Sequence, residues 1–141
     1  MKKSYIWILL LASFVGFTAC KKSNDNPTPT PGSTTNQNLL KTWKVSSVTE
    51  GSLDITSEFS QYRLTFTETN DTKEFTLVQR DGTSVSGSWA ISSDETTITL
   101  TTNGNTITLS GVSITASELK YATDEQGKAG AVNLNFVLIP V

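Results

Sequence analysis

Chemistry at a protein site needs groups that ionise, attack or ligate, and this chain is poor in them. It has no histidine, which removes the commonest general base and metal ligand at neutral pH. Its one cysteine, Cys20, closes an apolar run. Ser117-Glu118-Leu119-Lys120 spells Ser-x-x-Lys, a spacing that brings an amine to a serine hydroxyl only when both stand on a helix. Here the segment reads as a turn running into a strand, and neither companion motif, Ser-Asp-Asn or Lys-Thr-Gly, occurs. The paired acids Asp94-Glu95 and Asp124-Glu125 suggest proton sharing or cation binding. Adjacent acids on turns are usually just solvated, and EF-hand spacing is missing. No glycine-rich phosphate cradle is present. We therefore expect no catalytic residue, no metal, no cofactor and no enzyme.

The elements that would position any site are strands. Polar and apolar residues alternate with period two, the pattern of half-buried strands. The segments are Trp43–Ser46, Tyr62–Thr67, Phe75–Gln79, Val85–Ile91, Thr97–Thr101, Thr106–Leu109, a short Leu119–Tyr121 and Val132–Leu138. The end of the last is apolar on both faces, which predicts cover on both. Turns fall at Asn70-Asp71, Asp81-Gly82 and Asn103-Gly104, the last being the strongest hairpin signal. Thr56–Phe59 is ambiguous and could form one helical turn. Eight strands in meander order leave two open edges unless the sheet closes, and closure predicts an all-β up-and-down barrel. A two-sheet sandwich would need longer crossovers. Alternation points Trp43, Tyr62, Leu64, Phe66, Phe75, Leu77, Trp89, Ile98, Leu100, Ile107, Leu109, Tyr121, Leu134 and Phe136 inward.

The leading segment has a different composition. Lys2 and Lys3 precede about twelve mostly apolar residues, Ile6–Phe17, too few for the roughly 20 needed to span a bilayer. A basic start, a short apolar run and a small residue before a cut describe a secretory signal peptide. Phe17-Thr18-Ala19-Cys20 resembles the lipobox of bacterial lipoproteins. That resemblance implies cleavage after residue 19 and acylation of Cys20. One acyl chain holds only marginally, at about 0.8 kcal/mol per buried methylene, but two or three anchor stably. Residues 20–38 read as the lipidated cysteine and a disordered Thr/Pro/Asn-rich tether, with Pro27, Pro29 and Pro31 favouring extended conformations. At ~3.3 Å per residue the stretch from Lys21 to Gln37 reaches roughly 55 Å. Residues 39–141 form the barrel domain. Loss of Lys2 and Lys3 leaves nine basic against thirteen acidic side chains, a net charge of −4. The basic residues make no patch, so nucleic acid is not an expected partner. One acid close behind Cys20, Asp25, favours the periplasmic face of the outer membrane over the cell surface.

The body resembles the bacterial lipocalin-like domains. Its carriers are Leu39-Leu40-Lys41-Thr42-Trp43, Leu64-Thr65-Phe66, Gly87-Ser88-Trp89, Leu100 and Leu109-Ser110. Lys41 stands where that family has glycine. The last strand lacks the basic residue that classical lipocalins pack on the first tryptophan. The resemblance implies an eight-stranded barrel with a mouth and a small apolar ligand, with Tyr62, Phe66, Phe75, Trp89 and Tyr121 as candidate lining. The alternative is an envelope protein with a filled core that acts through a protein partner.

Overall fold

The computed structural model describes residues 34–127 and 130–141. The expected signal segment, Cys20 and most of the tether lie outside the described residues.

The tightest turns set the strand order. At Asn70-Asp71 both residues have positive φ, 49° and 63°, and at Asn103-Gly104 the values are 46° and 81°. Two successive left-handed residues make a turn whose twist matches that of paired strands, and Asn, Asp and Gly tolerate it best. The strands are β1 (Thr42–Glu50), β2 (Leu53–Asp54), β3 (Arg63–Thr69), β4 (Thr72–Val78), β5 (Ser84–Ile91), β6 (Thr97–Thr102), β7 (Asn105–Ile114), β8 (Leu119–Gly127) and β9 (Gly130–Pro140). A short helix, α1, covers Thr34–Leu39, and a 3-10 turn covers Thr56–Phe59. Each of the eight expected strands is present. The two-residue β2 is a flap on β1.

β3 to β9 follow one another as antiparallel neighbours, and β1 pairs with both β3 and β9. The β1–β9 ladder runs from Trp43 opposite Pro140 to Glu50 opposite Leu134. It closes the sheet into an eight-stranded up-and-down barrel, so each long strand has a paired neighbour on both sides. The β1–β3 ladder holds only from Thr42 to Lys44. Beyond Lys44, β1 leaves β3 and stays paired with β9 through a bulge between Val45 and Ser47. The 3-10 turn lies beside this departure, and its Phe59 is fully buried with its ring 5.2 Å from that of Phe136.

The expected inward set is buried, apart from Ile107, which is half-buried. Burial also takes in Leu39, Val48, Phe59, Val112, Leu119 and Leu138, which the alternation reading omits. The bulge explains Val48, since one extra residue flips the inward parity. The outward Val137 and Ile139 of β9 are half-buried, so its outer face is only partly covered.

Gly87 has a steric reason. A Cβ there would lie 1.9 Å from the Thr101 carbonyl oxygen and 3.0 Å from the Phe75 ring, which stands opposite it in the β4–β5 ladder. The missing side chain lets β6 and the Phe75 ring approach, and Trp89 two residues on packs edge-to-face on Phe66 at 5.6 Å.

Two segments differ from the expectation. α1 occupies residues assigned to the tether, because Leu39 at its end is fully buried and accepts a hydrogen bond from the Trp43 indole N–H at 3.0 Å. β8 extends for nine residues rather than three. Its second half carries polar residues on both faces, which conceals the alternation. The described residues hold one continuous core inside a closed sheet, which is what an independently folding unit requires.

Candidate functional site

The chain enters β1 at one end of the barrel, and α1 packs there. Thr35 Oγ1 donates to Glu95 Oε2 at 2.6 Å on the turn between β5 and β6. Lys41 Nζ donates to the Ala116 carbonyl on the turn between β7 and β8 and lies 5.1 Å from the Trp43 ring. The last strand has no basic residue, and Lys41 supplies a cation over Trp43 from the position just before β1.

Above this end the interior is filled by rings. Tyr121 stacks on Phe136 at 5.0 Å, and Tyr62 lies 5.2 Å from the same ring. The two tyrosine hydroxyls share a buried hydrogen bond of 2.8 Å. Burial pushes both phenols well above their ordinary range, because a phenolate would lack water there. They therefore stay neutral at physiological pH and close the space below with polar tips paired to each other.

The other end is open on one side of this tyrosine pair. A pocket of about 380 Å³ lies between the β4–β5 turn, β6, β7 and the second half of β8. Its wall is apolar: Leu77, Leu100, Ile107 and Leu109. Its rim is polar: Gln79, Arg80 and Asp81 on the turn, and Thr123 to Gln126 on β8. Tyr62 forms part of the lining. The register explains the mixture. Thr123 stands opposite Leu134 and Glu125 opposite Val132, so both belong to the inward row of β8 that Leu119 and Tyr121 begin. The inward row thus changes from apolar to polar at the mouth. Thr123 is buried and donates to the Thr108 carbonyl at 3.0 Å.

Arg80 spans the mouth. Its guanidinium lies 3.6 Å from Glu58 and 3.8 Å from Glu125, and 5.6 Å from the Phe59 ring. Its side chain is about half exposed, and ion pairs this long and this wet contribute little to stability. The Asp81 carboxyl accepts from the Thr83 N–H and hydroxyl at 2.9 and 2.7 Å, which hold its pKa below the usual range. A second hollow of about 250 Å³, lined by Leu53, Ile55 and Val132 among others, shares Arg80, Glu125 and Gln126 with the first.

Of the five candidate lining residues, Tyr62 reaches the 380 Å³ pocket. Phe66, Phe75, Trp89 and Tyr121 are buried in the packed interior and do not line it. Alternation reports which face is inward, not how deep along the barrel a residue sits, and large rings fill the depth they occupy. The other chemical candidates separate in the same way. Lys120 stands between the inward Leu119 and Tyr121, so it faces outward, and its amine pairs with Glu118 at 2.7 Å rather than with Ser117. Asp94 caps its own turn, accepting from the Ser92 hydroxyl and the Thr96 N–H, and these bonds hold its pKa low. Among the described residues no group of three acids, histidines or cysteines stands close enough to hold a metal. Asp124 and Glu125 point opposite ways on successive strand positions: Asp124 accepts from Asn133 on the outer side of the rim, while Glu125 belongs to the inward row at the mouth.

Eight antiparallel strands closed in chain order, with a helix at one end and an apolar pocket under a polar rim at the other, define a lipocalin-like barrel. A family model for the lipocalin-like domain matches residues 39–121, and the chain belongs to that family. Among solved structures it is similar to zebrafish ileal bile acid-binding protein complexed with cholic acid. The identity is 12%, the TM-score is 0.43, and the match covers 74% of this chain and 99% of that one. No curated protein matches in sequence.

Proposed function

We propose that this protein is a lipid-anchored binding module of the cell envelope that takes a small apolar ligand, or the apolar part of one, into the rim pocket. The observation that carries the reading is the 380 Å³ pocket, whose leucine and isoleucine wall lies under a polar rim. Concave sites of roughly 300–1,000 Å³ with apolar walls and a few polar groups are the usual form of small-molecule sites. Burial of about 200 Å² of ligand at ~25 cal/mol per Å² yields near 5 kcal/mol before the costs of association, so a generic probe should bind at about micromolar strength or weaker. The ligand inserts past Arg80 and rests above the paired tyrosines. Binding, not catalysis, is the activity this reading assigns.

The anchor is the acylated Cys20. The short apolar run and the cysteine at its end support it, as does the sequence between Cys20 and the barrel, long enough to hold the mouth away from a membrane. The periplasmic face of the outer membrane is the proposed location. Cys20→Ala should move the protein out of the detergent phase in a phase-separation assay, and unchanged partitioning contradicts the anchor.

A second reading has its own observation. The aromatic rings fill the deep interior, which suits an envelope protein acting through its surface on a protein partner. Titration of residues 31–141 with the neutral fluorophore N-phenylnaphthylamine separates the two. Saturable one-to-one binding that weakens in Leu109→Ala or Ile107→Ala supports the pocket. Absence of saturable binding favours the surface reading.

A further inference from the structure

The charge around the mouth goes further than the pocket's shape. The residues around the two adjoining hollows include the carboxylates of Glu50, Glu58, Asp81, Asp124 and Glu125, with Arg80 as their one basic side chain. No lysine lines either hollow. Arg80 is itself engaged by Glu58 and Glu125 and lies over the Phe59 ring. Its guanidinium therefore marks a position already built for a cation, with carboxylates on two sides and an aromatic face beside it. The pairs are long and exposed to water, so they contribute little energy to fixing Arg80 in place. An anionic headgroup would have to take Arg80 from two carboxylates and then sit within their field.

We propose that the rim pocket selects amphiphiles with an apolar body and a cationic, amine or quaternary ammonium, headgroup. The head rests by Glu125 and Phe59 at the place Arg80 now occupies, and the tail lies along Leu77, Leu100, Ile107 and Leu109. This rests on the reading of the pocket as a ligand site. Arg80 then acts as an internal competitor that raises the affinity threshold for weakly charged ligands.

The test uses three probes of equal chain length on residues 31–141 by isothermal titration calorimetry in low salt: decyltrimethylammonium, decanol and decanoate. The expected order is cation, then neutral, then anion, with the cation bound about tenfold or more tighter than the anion. Glu125→Gln should narrow that ratio and Arg80→Ala should widen it. Both residues are solvent-accessible, and far-UV circular dichroism checks the folding of each variant. On the unaltered protein, added salt should shrink the ratio, since the charges face water and the Debye length falls to ~3 Å at 1 M. Equal binding of all three probes, or preference for decanoate, overturns the charge selection and leaves the pocket standing. Failure of all three to bind overturns both.

Discussion

Gly87→Ala adds one methyl group where the barrel has no room for it. The new carbon would lie 1.9 Å from the Thr101 carbonyl oxygen and 2.9 Å from the Thr101 carbonyl carbon, whereas ordinary contact begins at 3.4 Å. Both atoms are backbone, so no rotamer change relieves the clash. β5 must part from β6, and the bond from Thr102 Oγ1 to the Ser86 carbonyl at 2.8 Å lies on the line of separation. The Phe75 ring, 3.0 Å from the new carbon, must also move. Overpacking costs about 1–3 kcal/mol, and each strained or lost hydrogen bond adds roughly 0.5–1.5 kcal/mol. A loss of about 1.5–4.5 kcal/mol follows, a large part of the ~5–15 kcal/mol that holds a typical domain together. Urea unfolding followed by tryptophan fluorescence measures it, with a lower midpoint and an unchanged slope expected. Gly51→Ala serves as the control: its φ is +58° and nothing lies within 4 Å of the added carbon, so only left-handed backbone strain of about 1–2 kcal/mol applies. A loss below about 1 kcal/mol for Gly87→Ala, or a loss no greater than that of Gly51→Ala, would refute the close-approach explanation.

Trp43→Ala should cost about 3–5 kcal/mol, because a fully buried ring and its bond to the Leu39 carbonyl are both lost; chemical denaturation reads it, and a loss under about 1 kcal/mol contradicts the packing at the α1 end. The buried tyrosine pair gives a pH dependence. A phenol raised in the folded state favours the folded protein fully below the unfolded value of about 10 and progressively less above it. Residues 31–141 should therefore lose up to about 2.7 kcal/mol per pH unit above pH ~10, and phenolate absorbance should appear together with unfolding. Phenolate absorbance in a still-folded barrel would contradict the burial of the pair. Tyr62→Phe should cost about 1–3 kcal/mol by leaving the Tyr121 hydroxyl unpartnered, and the double Tyr62→Phe, Tyr121→Phe variant should recover part of that loss in the same unfolding assay.

Most of the barrel was legible because strict alternation and primed turns are local signals. Asn103-Gly104 needed only its two residues to announce a hairpin, and Leu64-Thr65-Phe66 announced its inward face. The mouth was harder to read for a physical reason. A ligand rim needs polar groups facing inward, and Thr123 and Glu125 break the alternation that identifies a strand, so β8 looked only three residues long. The bulge in β1 hid Val48 in the same way, by changing the inward parity partway along a strand. Phe59 sits on a 3-10 turn with no periodic neighbours to mark it. Alternation gives Phe66, Phe75, Trp89 and Tyr121 an inward face and nothing more, and depth along the barrel, which separates core from pocket, depends on register between distant strands.

In the proposed function a ligand enters between the β4–β5 turn and β8 and rests on the leucine–isoleucine wall. Methyl-resolved nuclear magnetic resonance of residues 31–141, titrated with decanol, tests it most directly. Saturable shifts are expected at the Leu77, Leu100, Ile107 and Leu109 methyls, with smaller changes at the Leu39 methyls at the end of α1. Shifts centred on Leu53, Ile55 and Val132 instead, or no saturable shift at any methyl, would contradict it.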